Sequence, residues 1–359
     1  LSKEQEKERY FRRLLLGLLL CRIIMDIPEY KIPEYEIPYY EDNTRISNSA
    51  IGWFLNKGPA YFRNMLDGKE KGLDLPQLRK GTMIHEFLLQ PDQFWNDYVL
   101  FDGDKPKSAQ AQKFCENLIN TVEIELNKQL SEAYRKSYSI VGKSEDKILS
   151  EALKISVEYK DYIEAIKSKK ILISQYDLDQ LMNIQYNVEE HKLAKRLLQK
   201  AGDYSNIHVY HEFQINWDYL VEDELNHGAL TPIACKSLLD SCTFNFDTRT
   251  CTIMDIKTTA KLWHFEDSMK EFDYCRQLCF YQEAVYWYLT NVLELSNGEI
   301  DKWRFEFYII AIDTTGSNEI RVFKLATPQV TSRSVTIHDF MRVYLWHLGT
   351  ENWDHSYDY

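Results

Sequence analysis

The sequence of 359 residues predicts an α/β protein: a β-sheet with helices packed on it and a helical insertion. Three observations carry this. Two runs rich in β-branched and apolar residues, Cys235 to Phe244 and Thr250 to Thr258, flank Asn245, Asp247 and Thr248, which is the composition of a β-hairpin. Further strand-like segments at Ile207 to Trp217, Trp303 to Ile312 and Glu319 to Leu325 are interspersed with helical stretches, as expected of helices packed on a sheet. From about Lys105 to Lys200 the chain is helical, polar and lysine-rich, and this is the insertion.

Taken in order, residues 3–25 predict a helix, and three imperfect pentads, Ile27-Pro28-Glu29-Tyr30, Ile32-Pro33-Glu34-Tyr35 and Ile37-Pro38-Tyr39-Tyr40, follow it. Proline every five residues excludes a helix or a central strand, so residues 1–43 are expected to be a helix and an extended arm. Residues 44–359 are expected to be one domain with its insertion at about 105–200. Ser47 reads as a helix N-cap before Ala50 to Leu55, and Gly58-Pro59 separates that helix from Ala60 to Leu66. Arg79 to Gln90 predicts a third helix ended by Pro91, with Gly81 and His85 four residues apart on one face. Ser174 and Asp177 cap a helix whose far end carries Lys192, Lys195, Arg196 and Lys200. Later helices are expected at Glu271 to Thr290, with Gln277 and Tyr281 on one face, and at Ser334 to Leu348.

With 43 basic and 55 acidic residues the formal charge is −12, which by itself argues against a nucleic-acid partner. Local patches decide that matter more than the total. Seven cysteines without a Cys-x-x-Cys pair fit a reducing compartment, and the apolar run Leu14 to Leu20 is too short to span a membrane, so a cytoplasmic protein is expected.

The hairpin holds the chemistry. A turn centred between Asp247 and Thr248 places Asp240 opposite Asp255, where directly opposed Cβ atoms lie roughly 5 Å apart. Lys257 shares the face of Asp255 because side chains alternate along a strand. Two carboxylates so close persist as a pair only with a proton or a cation between them, and hard oxygen ligands favour Mg2+ or Mn2+. A lysine beside such a cation can position water or stabilise charge on a phosphoryl oxygen. A register slip of one residue would dissolve the arrangement.

The ordered set Gly81-x3-His85, Leu239-Asp240, Asp255-Ile256-Lys257 and Gln277-x3-Tyr281, together with Ile46-Ser47-Asn48-Ser49-Ala50 and Gly58-Pro59-Ala60-Tyr61-Phe62, resembles the PD-(D/E)XK nuclease superfamily, and within it the RecE-like exonuclease VIII branch. Lambda exonuclease is a more distant relative by this resemblance. The resemblance implies a restriction-endonuclease-like mixed central β-sheet flanked by helices, that His85, Asp240, Asp255 and the carbonyl of Ile256 hold the metal, that Lys257 is the catalytic lysine, and that Gln277 and Tyr281 lie beside the substrate strand. Glu212 approximates a supporting acid. The implied activity is Mg2+-dependent exonuclease action on double-stranded DNA ends in phage-type recombination, by a homo-oligomer working with a single-strand annealing protein. Some relatives carry an iron–sulfur cluster near the C-terminus; with Cys279 as the last cysteine, none is expected here. A restriction-like or structure-specific endonuclease and an inactive DNA-binding protein are the alternatives.

Overall fold

A computed structural model of the chain describes residue 35 and residues 37–72, 75–122, 125–204 and 206–354. The helix expected over residues 3–25 and the proline pentads before Tyr35 lie outside these residues. Two compact units divide the chain, Leu1–Leu89 with Ile184–Tyr359, and Gln90–Asn183.

The first unit opens with α1 (Asn48–Lys57), α2 (Pro59–Leu66) and α3 (Pro76–Leu89). Ser47 caps α1 as expected, its hydroxyl accepting from the Ala50 amide at 3.2 Å. Gly58, at φ +83°, ends α1 in a conformation that other residues rarely adopt, and Pro59 starts α2 at once.

In the second unit α4 (Pro91–Asp97) and β1 (Tyr98–Leu100) precede α5 (Ala109–Asn120), α6 (Leu126–Ser137), α7 (Glu145–Glu158), α8 (Lys160–Lys167) and β2 (Ile171–Ile173). Phe114, Leu130, Tyr134, Ile148 and Ala152 form its core. β1 and β2 pair in parallel, and at three residues each they are too short for any periodicity to betray them. Pro91 was expected only to end a helix; it also begins α4, where its missing N–H removes no intrahelical bond. Several basic residues here face acids along or between helices, as in Lys128–Glu125, Lys136–Glu132 and Lys167–Glu164, so the lysine-rich character is largely that of mixed-charge solvated faces.

α9 (Gln175–Glu190) begins with the expected reciprocal cap, Asp177 N donating to Ser174 Oγ and Ser174 N to the Asp177 carboxylate. It does not carry the basic cluster. The chain breaks at His191, whose Nδ1 caps a separate α10 (Lys192–Leu197).

There follow β3 (Gly202–Tyr204), β4 (Ile207–Asp223), β5 (Ala229–Asn245), β6 (Thr250–Thr259), α11 (Phe265–Glu271), α12 (Tyr274–Asn291), α13 (Asn297–Ile300), β7 (Arg304–Asp313), β8 (Ile320–Leu325), α14 (Thr327–Thr331) and α15 (Ser334–Thr350). The sheet is mixed and its strands lie in sequence order; β6 and β7 run parallel, and every other neighbouring pair is antiparallel. β4 continues well past Trp217, pairing with β5 as far as Asp223↔Ala229. There Trp217, Tyr219 and Val221 alternate with exposed Asp218, Leu220 and Glu222, a strand pattern that the expected span Ile207 to Trp217 ended too early. Phe213, Trp217 and Leu239 of the sheet pack with Phe280 of α12 and Phe340 of α15 in the main core. Among the described residues no helix is long and apolar enough to cross a membrane.

Candidate metal centre

The β5–β6 ladder runs from Asn245↔Thr250 to Ser241↔Met254. One more step in this register puts Asp240 opposite Asp255, as the sequence predicts, but the strands part there. β6 stays paired with β7 through Thr259↔Asp313. The Ile256 amide, left without a β5 partner, donates instead to Asp240 Oδ2 at 2.6 Å. Asp240 thereby satisfies a buried backbone donor, and the two acids sit at the fork of the hairpin.

Glu212 stands across β4–β5 from Asp240, between the pairs His211↔Ser241 and Phe213↔Leu239. Its φ of +47° places a non-glycine residue in the left-handed region, which costs on the order of 1–2 kcal/mol. The side-chain alternation changes phase here. Tyr210 and Phe213 both join the core, as do Leu239 and Cys242 on the partner strand. His85 reaches the same place from α3, its Nδ1 3.4 Å from Asp240 Oδ2. One ligand atom from each of His85, Glu212 and Asp240 lies within 4.8 Å of the others. Glu212, only an approximate match in the sequence, is therefore a full member of this trio.

α3 can bring His85 this close because Gly81, one turn earlier, has no side chain. A Cβ there would lie 3.1 Å from Thr258 Oγ1. Lys80 fastens the same turn by donating to Thr314 O at 3.1 Å. Gly81→Ala is expected to push α3 outward and weaken Mn2+ binding about tenfold, the low end for changes behind a metal ligand. Titration calorimetry checks it; unchanged affinity would show that α3 is not seated through Gly81.

Asp255 is 1% exposed and belongs to a second set of contacts. Lys257 Nζ lies 2.5 Å from its Oδ2, and Gln277 Nε2 donates to its Oδ1 at 2.9 Å and to Tyr281 OH at 2.8 Å. The alternation Asp255–Lys257 and the i, i+4 pair Gln277–Tyr281 thus converge on one carboxylate. Lys257 also lies 5.1 Å over the Tyr274 ring. Arg276, about 100° round the helix from Gln277, faces away from the Asp255 carboxylate: it is 5% exposed and its Nε donates to Asn48 Oδ1.

Burial raises the Asp255 carboxyl, and the charge of Asp240 adds to that while Lys257 opposes it. Lys257 stays above its ordinary value although burial works against its charge, because Asp255 and Asp240 flank it. Glu212 is pushed up to about 8 by burial first, then by Asp240, Asp255 and Glu86. Three carboxylates crowded with one imidazole form a donor set that fits a divalent cation, which would offset this repulsion.

A testable linkage follows from Glu212. Its folded value lies above its ordinary 4.5, so between these values the metal-free folded state holds a proton that the unfolded state has lost. Stability without metal should decline as pH rises from 4.5 through about 8, and Glu212→Gln should flatten that decline. Cation binding must expel the proton, so Mn2+ affinity should rise with pH up to about 8. Calorimetry in buffers of different ionisation enthalpy reads the proton release; none at pH 7 would mean Glu212 is already ionised.

Sequence reasoning gave Lys236 no role and read Tyr39 and Tyr40 only as part of the extended arm. Lys236 is 7% exposed and donates to the carbonyls of Tyr39 and Asp42. A lysine between Cys235 and Ser237, both fully buried, was the available signal.

Neither a protein-family model nor a curated protein matches this chain. Among solved structures the chain is similar to a crystal structure from Eubacterium rectale described as a "putative exonuclease", with 12% identity and a TM-score of 0.47, over 89% of this chain and 88% of that one.

Proposed function

We propose that this protein is a metal-dependent nuclease of the PD-(D/E)XK type that hydrolyses DNA phosphodiester bonds, acting as an exonuclease on the ends of linear duplexes. The observation that carries the reading is the fork between β5 and β6, where Asp240, Asp255 and Lys257 meet His85 and Glu212.

His85, Glu212 and Asp240 would hold the cation, with Asp255 beside them; Mg2+ is the proposed ion and Mn2+ its substitute. When bound, it polarises a phosphoryl oxygen and acidifies water. Lys257 keeps its positive charge in a half-buried setting, where it can neutralise charge building on the phosphoryl group. Gln277 holds the Asp255 carboxylate in place through one amide nitrogen shared with Tyr281. A RecE-like role in phage-type recombination, a homo-oligomer and an annealing-protein partner belong to the same proposal. An assembly that encloses DNA would let a chain of net charge −12 bind a polyanion through a local channel.

The test is digestion of linear and covalently closed duplex DNA with Mg2+, with Mn2+ and with EDTA. Loss of the linear form alone, in metal only, is the expected result. Cutting of closed circles would replace the exonuclease by an endonuclease on the same site, and inertness towards all DNA in both metals would overturn the nuclease reading.

A further inference from the structure

The part of the proline arm from Tyr35 to Ile46 that the structure describes is tied to the sheet at both ends. At one end the Tyr35 hydroxyl donates to Gln214 O at 3.4 Å and accepts from Asn216 N at 3.2 Å, on the edge of β4 that faces away from β5. At the other, Ile46 pairs in parallel with Cys235, on the edge of β5 that β6 has vacated. The segment between them crosses β4 and β5.

Its crossing is a built turn. Glu41 and Asp42 amides donate to Pro38 O at 2.9 and 3.2 Å, and the Asp42 carboxylate accepts from Thr44 N and Oγ1. Beneath it the buried Lys236 ammonium donates to the Tyr39 and Asp42 carbonyls and lies 4.6 Å from the Tyr39 ring centroid. Lys236 precedes Asp240 by four residues on β5, so the strap is anchored about 13 Å along the strand from that acid. Tyr39 is half-buried, and Tyr40 packs edge-on against it at 5.2 Å. Tyr40 itself is 82% exposed. Burial of its phenol first, then the charges of Glu212 and Asp240, hold it above its ordinary value. This exposed ring sits on a turn held by Lys236, on the same strand as Asp240, and among the described residues Tyr39 packs edge-on against it.

Resting on the nuclease reading, we infer that residues 37–42 are a substrate-positioning strap, on which the Tyr40 ring stacks against a nucleobase of the strand entering the site. Every base has a π-face, so such a contact holds a strand without selecting its sequence. The strap is tied to Lys236 on the strand that carries Asp240, so a nucleic-acid strand held by Tyr40 would run along β5 toward that acid.

The experiment compares the full-length wild type with Tyr40→Ala and Tyr40→Phe on a linear duplex carrying 2-aminopurine at the terminal nucleotide. Tyr40→Ala should raise KM about tenfold with kcat nearly unchanged, the effect of losing one base–aromatic stack, and Tyr40→Phe should restore it. The 2-aminopurine emission should be more strongly quenched in the complex with wild type or Tyr40→Phe than with Tyr40→Ala. Equal KM and equal quenching in wild type and Tyr40→Ala would overturn the strap. A wild type that cuts no DNA fails the nuclease reading instead, so the two failures are told apart by the wild-type rate alone.

Discussion

Asp240→Asn and Asp255→Asn are each expected to reduce Mg2+-dependent DNA hydrolysis by about a thousandfold or more, because metal-assisted stabilisation of a phosphoryl transition state is worth several kcal/mol and each 1.36 kcal/mol is tenfold in rate. The fold should survive both changes. An asparagine at 240 can still accept from the Ile256 amide; one at 255 can still accept from Gln277 but turns its NH2 toward the Lys257 ammonium, so Asp255→Asn is expected to cost more stability than Asp240→Asn. Asp240→Asn also removes a charge that raises both Glu212 and Asp255. Both of those acids have folded values above their ordinary ones, so above neutral pH they detract from stability, and relieving them should hold or raise the melting temperature without metal. The checks are a single-turnover cleavage rate and a thermal melt in EDTA. A variant that melts normally and cuts at the wild-type rate would remove its residue from the site.

Lys257→Ala is expected to lower kcat by about a hundredfold to a thousandfold, the range for losing one preorganised group that stabilises transition-state charge. Metal affinity should change little, since Lys257 contacts Asp255 and is not one of the ligand trio. The variant also removes the positive charge that holds Asp255 down against burial and Asp240. Asp255 then titrates higher, and the acid limb of the residual pH–rate profile should move towards alkaline pH. Lys257→Arg should rescue poorly, because a planar guanidinium cannot take the place of a compact ammonium between Asp255 and the Tyr274 ring. An acid limb that stays in place would show that Lys257 acts without Asp255.

What the sequence by itself determined is what local rules govern. The turn chemistry at Asn245, Asp247 and Thr248 set the hairpin register, and the two-residue period put Asp255 and Lys257 on one face. The helical period likewise joined Gln277 to Tyr281, and Gly81 to His85 on the face that meets β6 and Asp240. Ser47 and the Ser174–Asp177 pair announced their helix starts because a cap is a contact within three residues. Tertiary structure alone decided the rest, since it depends on partners far apart in the chain. Whether Arg276 is exposed or buried turned on Asn48, 228 residues away. Glu212 joins His85 and Asp240 only because β4 takes a left-handed step, which residue type does not signal. The pentad Ile37-Pro38-Tyr39-Tyr40 reads only as an extended arm until Lys236, nearly two hundred residues later, supplies the buried cation that ties it across the sheet.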